Sequence, residues 1–387
     1  MPIALSHGGS NIYTSQEPSR EVLVGTRDGI VVLRRGSGPT GWDVAHRALV
    51  DKFISSVVIE QTSGTIFAGA YKGGVYASED GGQTWQQRDD GLGLDEVWSM
   101  AVGTHQGRPR VFAGTNPAHL YRSDNLGKSW QEVASMRNVP SVDQWSFFNN
   151  PAHTKFIAFD PNDPSIVYSC IEQGSFLRST DGGESWQELN SLGFYKDRER
   201  PWELFYDCHK TVIDPRNPDK IFVSGGAGLY VTEDGGKTWE RWMSPDWAVD
   251  VYPDALVLNP RHPDVMFVGA AEHNPARWRD NGIPGFSGSR LFRSHDAGKT
   301  WEILKNGLPG EPTRQEYGAV CLEDWGGSFT VLAATTGGDV YCSDDGGDSW
   351  TLAVSGLPPV SKGGHYRSLN AGTYQGLAPA IPVATVR

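Results

Sequence analysis

Apolar residues in this chain occur in short runs, broken by Gly, Asp and Asn, and the runs come in fours. Residues 56–59, 65–69, 74–78 and 84–87 form one set, and residues 98–102, 110–114, 120–123 and 129–130 form the next. Runs this short and this evenly punctuated read as β-strands rather than amphipathic helices. We label the strands of each set A to D, with A innermost. The first set has three runs, 21–26, 29–33 and 42–44, the first two joined by the hairpin signal Arg27-Asp28-Gly29. It is one strand short. The expectation is that residues 365–370 supply the fourth, so that N- and C-terminal strands share one blade and close the ring without exposed edges.

One turn punctuates these sets. Its clearest copies are Ser78-Glu79-Asp80-Gly81-Gly82-Gln83-Thr84-Trp85 and Thr232-Glu233-Asp234-Gly235-Gly236-Lys237-Thr238-Trp239; further copies end at Trp130, Trp186, Trp301 and Trp350, and a worn first copy keeps Trp42. The intervals, about 43 to 62 residues, match a four-stranded propeller blade. The chain is therefore expected to be all-β: a seven-bladed β-propeller of four-stranded antiparallel blades, forming a single domain over residues 1–387. In each turn the aspartate is placed to accept backbone N–H groups and glycine to take a positive φ. Asn125 and Ala297, which replace an aspartate and a glycine, fit a structural cap better than a catalytic carboxylate.

The turn resembles the Asp-box, or BNR, repeat of sialidases, xyloglucan-degrading glycosidases, sortilin-type receptors and photosystem II assembly factors. The resemblance implies a propeller whose boxes lie on the face opposite the active site. It spans enzymes and binding proteins alike. The early Arg-Ile-Pro motif of sialidases is absent, and Arg137, Arg198, Arg200, Arg277, Arg279 and Arg367 form no matching triad. The xyloglucan-degrading relatives normally carry two propellers, and this chain accounts for one.

Insertions fall between D and A strands, at 132–152, 190–207 and 244–253, and between B and C of the sixth set, at 271–289. Both connection types belong to one face, so the long loops crowd one mouth of the channel. They and the adjoining strand starts bring Trp145, Tyr195, Trp202, Tyr252, Trp278, Tyr317 and Arg367 as candidate substrate-binding residues. Polar residues at the starts of A strands supply the candidate catalytic set His153, Asp207, His209, Asp254, Glu316 and His365.

Two chemistries and one bland alternative stay open. His153, His209 and His365 can meet near the axis around one divalent metal ion. Asp207, Asp254 and Glu316 can work with a histidine as acid and base on a glycosidic or uronate bond. A solvated channel rim needs no chemistry from any of them. The functional expectation is a hydrolase or lyase acting on a glycan or small molecule, metal-assisted through the histidines; the alternative is a binding or assembly scaffold with a protein partner.

The formal charge of −12, the pI near 5.3 and the lack of any basic run argue against nucleic acid. No export signal or membrane-spanning stretch is read from the sequence. Cys170, Cys208, Cys321 and Cys342 show no metal-site spacing, so they are expected to be buried thiols in a cytoplasmic protein.

Overall fold

The computed structural model describes residues 1–37, 40–147, 150–189, 207–226, 228–242, 252–272, 275, 286–309 and 313–361. Seven sheets form seven blades. The second is representative: Ile54–Ile59, Ile66–Ala70, Gly74–Ser78 and Gln86–Gln87 pair in order, each antiparallel to the next. The hydrophobic core lies between blades rather than within them. Val97, Met100 and Val111 of the third blade, for example, pack against Val58, Phe67 and Val75 of the second. Every blade thus buries both faces, which is why its inner strands are almost continuously apolar.

The first blade corrects one expectation. Its fourth strand is Ile3–Leu5, which pairs parallel with Glu21–Thr26 in the register Ile3↔Val22 and Leu5↔Val24. The place assigned to residues 365–370 is therefore taken by the N-terminus itself, and residues 365–370 lie outside the described residues. A second N-terminal strand, Ile12–Thr14, adds to the inner edge of Tyr317–Asp324 in the seventh blade, again parallel. The N-terminal segment therefore bonds to both blades that meet at the ring's seam. At the other end, the Pro359 carbonyl accepts the Arg27 amide at 2.8 Å, and Val360 is buried with the first-blade core.

Between those two strands the chain crosses the central channel. Gly8 donates its amide to the Ser55 carbonyl at 2.8 Å, Lys210 Nζ donates to the Gly9 carbonyl at 3.3 Å, and the His7 ring places Nδ1 2.8 Å from the Gly318 carbonyl. A Cβ on Gly8 would lie 2.2 Å from the Trp98 carbonyl oxygen. Glycine is required there because two backbones nearly touch.

The repeated turns behave as folding devices. Asp80 accepts from the amides of Gln83 and Thr84 at 3.0 and 2.9 Å and from the Thr84 hydroxyl at 2.6 Å, and these bonds, the Thr84 hydroxyl first, hold its carboxyl down at about 2. The amides of Gly182, Gly235 and Ala297 are bound by carbonyls of Ser165, Asp219 and Asp264, in or just after the A-to-B turns, so boxes and A-to-B turns share one face. Trp130 and Trp239 reach the neighbouring blade, donating to the Arg88 and Leu189 carbonyls at 2.8 and 3.1 Å.

Candidate functional site

Each inner strand of blades two to seven carries the same irregularity one or two steps after its start. The pairing skips Ser55, Trp98, Lys155, His209, Asp254 and Gly318 in turn. A bulge re-aims the extra residue, and repeated around the ring it gives six equivalent positions near the axis. Two residues earlier sit Phe53, Glu96, His153, Asp207, Tyr252 and Glu316, one layer nearer the long loops. The candidate chemistry is concentrated in these two layers of blades four to six.

Lys155 is the hub. Its ammonium lies 2.5 Å from Asp254 Oδ1 and 3.2 Å from Glu172 Oε2, with all three side chains buried. His153 Nε2 is 3.0 Å from the same Glu172 oxygen. Glu172 ends the second strand of the fourth blade, opposite His153 in register, and bridges to Asp207 of the fifth blade. Asp207 Oδ1 lies 3.2 Å from His209 Nε2, while His209 Nδ1 is 2.8 Å from the Pro253 carbonyl. His7 from the N-terminal segment approaches Asp254 Oδ2 at 3.7 Å. The network alternates cationic donors and carboxylates, as buried charge requires.

Ligand atoms of Glu172, Asp207 and His209 all lie within 4.8 Å of one another. Asp207 is the accessible member, its side chain 34% exposed against none for His209. Beside this group runs an aromatic row. The Trp98 ring lies 3.8 Å from that of His153 and 5.4 Å from Tyr71, and Tyr71 lies 5.3 Å from Phe53. Tyr71 and Trp98 are half-buried. Glu96 Oε1 takes the Trp98 indole N–H at 3.2 Å and fixes the ring. Behind the carboxylates, Lys210 is buried against the Phe156 ring, 5.0 Å away, and burial lowers its ammonium to about 8.

The opposite mouth differs in kind. A cavity of about 230 Å³ opens there among Phe156, Phe159, Ile213 and Leu258, together with Ile12 from the N-terminal segment. Among the described residues no titratable side chain lines it.

Of the residues proposed from sequence, the structure gathers His153, Asp207, His209 and Asp254 into one network. Glu316 stands in the same layer of the seventh blade, buried, its amide bonded to Thr336 Oγ1 at 3.0 Å. Tyr252 packs against His209, ring centroids 4.5 Å apart. The placement of two aromatics is corrected. Tyr317 is 1% exposed in the core between blades six and seven, and Trp145 is buried in the core of blades three and four with its N–H on Ser141 Oγ; neither presents a face to the mouth. His365, Tyr195, Trp202, Trp278 and Arg367 lie outside the described residues. The proposed metal trio is accordingly placed only as to His153 and His209, and His153 turns to Glu172.

Lys155, Glu172, Trp98, Lys210 and His7 escaped the sequence reading. Three of them had a signal. Superposing the inner strands puts Trp98 and Lys155 in one column with His209 and Asp254, and Lys210 one step on. Glu172 comes from a neighbouring strand and His7 from a segment with no repeat, so periodicity points to neither.

No family model matches the chain. Xyloglucanase Xgh74A of Acetivibrio thermocellus is 29% identical over 189 residues, 44% of this chain and 21% of that protein. A xyloglucanase of a Paenibacillus species is 26% identical over 235 residues, 52% of this chain and 21% of that protein. The chain thus matches about a fifth of the length of these relatives. Among solved structures, an ancestral GH74 enzyme superposes with a TM-score of 0.59 at 19% identity, over 78% of this chain and 38% of that one. YCF48 from Cyanidioschyzon merolae gives 0.54 at 15% identity, over 79% and 87% respectively. At these identities the structural likeness speaks for the fold alone. The chain is a seven-bladed β-propeller similar in sequence to xyloglucanases over about half its length.

Proposed function

We propose that this protein is a glycan-active hydrolase working at the long-loop mouth, on a neutral polysaccharide of the xyloglucan kind. One observation carries the reading: the half-buried rings of Tyr71 and Trp98 continue through His153 into Glu172 and Asp207. Aromatic faces take the apolar C–H surface of a sugar ring, and a carboxylate pair supplies the acid and base that cleavage of a glycosidic bond needs. Asp207, the exposed carboxylate, meets the bond; Lys155 and His153 hold Glu172 in place behind it. The similarity to xyloglucanases supports the substrate class.

The test is release of reducing ends from xyloglucan and from unbranched β-glucan by the wild-type protein and by Asp207→Asn. Turnover in the wild type and its loss in the variant are expected. A second reading, a glycan- or protein-binding scaffold, is favoured by the N-terminal segment that occupies the channel. Saturable glycan binding without any reducing ends from the wild type would replace the first reading with the second.

A further inference from the structure

We infer that Glu172, Asp207 and His209 form a binding site for one divalent transition-metal ion of the zinc or manganese class. The three ligand atoms lie within 4.8 Å of one another, a spread that one ion with bonds of about 2.1 Å gathers with small side-chain movements. One imidazole and two carboxylates suit a borderline cation and leave coordination positions for water or substrate.

The histidine supplies the independent observation. His209 is wholly buried, and its Nδ1 lies 2.8 Å from the Pro253 carbonyl. A carbonyl oxygen only accepts, so Nδ1 carries the hydrogen and donates it. Nε2 is then the nitrogen turned to Asp207 Oδ1, at 3.2 Å. An N–H donated to a backbone carbonyl is also how a metal-bound histidine has its ligating nitrogen selected.

A proton on Nε2 would satisfy that pair alone. It would not account for the third donor: Glu172 comes from a different blade and is brought to the same point by the bridge to Asp207. Its Oε2 is anchored by His153 at 3.0 Å and Lys155 at 3.2 Å, which orients the carboxylate as an outer shell does. Lys155 is shared with Asp254 at 2.5 Å, so its charge is partly balanced elsewhere. The inference stands apart from the glycan reading: with the ion bound, Asp207 and Glu172 serve as ligands rather than as acid and base, and metal content and turnover are measured separately.

The full chain, stripped with chelator and dialysed, is titrated with zinc and with manganese by calorimetry. One ion per chain is expected for at least one of the two. Asp207→Asn and Glu172→Gln should each weaken it, by about 100-fold or more, and His153→Ala by about 10- to 100-fold through the freed carboxylate. His262→Ala, on the exposed A-to-B turn of the sixth blade, should leave it unchanged. Circular dichroism checks that the variants fold. Absence of saturable binding by both metals, or binding indifferent to Asp207→Asn and Glu172→Gln, overturns the inference. So does nitrogen-15 NMR showing His209 Nε2 protonated both without and with added metal. Metal binding without glycan turnover supports this site while removing the hydrolase reading.

Discussion

The Lys155 ammonium lies 2.5 Å from the Asp254 carboxylate, and the two side chains come from the fourth and sixth blades, spanning the inner strand of the fifth. The pair is buried and ties the fourth blade to the sixth across the fifth. Asp254→Ala leaves an ammonium with one carboxylate fewer in a dry site, and should lower unfolding stability by about 3–5 kcal/mol. Combining Asp254→Leu with Lys155→Met should recover much of that loss. Denaturant melts of the single and double variants measure the difference.

Lys210 makes stability depend on pH. Burial lowers its folded-state value from the ordinary 10.5 to about 8, so between those values the unfolded chain binds more protons than the folded one. Stability contributed by this group therefore rises as pH climbs from about 8 towards 10.5, and below 8 its penalty is constant. Lys210→Met should flatten that part of the stability profile, read as the denaturation midpoint at pH 7, 8, 9 and 10.

The N-terminal segment is expected to be structural. Gly8→Ala places a Cβ 2.2 Å from the Trp98 carbonyl and should cost about 1–3 kcal/mol through overpacking. Removing residues 1–14 uncovers the inner edges of the first and seventh blades together, so its effect on the melting temperature should exceed that of Gly8→Ala.

Trp98 separates binding from chemistry. In the glycan reading Trp98→Ala removes a sugar platform and leaves Asp207 and Glu172 in place. KM should rise about tenfold, the worth of one aromatic contact, with little change in kcat. An equal fall in kcat would instead assign Trp98, through the His153 ring it touches, to the reacting centre.

What each level of description contributes follows from range. The boxes, the turns and the alternating runs are local signals, because each is satisfied within a few residues of itself: Asp80 bonds Ser78, Gln83 and Thr84. Seven blades, their repeating four-stranded unit, and the face on which the boxes lie were therefore legible from the sequence. His209 and Asp254 were legible too, as polar residues at the starts of apolar strands. Three things needed the tertiary structure. The closing strand came from residues 3–5 rather than 365–370, because parallel pairing along Glu21–Thr26 leaves no mark in either segment. Lys155 and Trp98 became candidate site residues because a bulge, an irregularity of pairing between strands, turns them to the axis. Glu172 joined Asp207 and His209 because two blades meet there. Contacts between distant segments depend on how blades stack about the axis, and nothing in a run of residues records that angle.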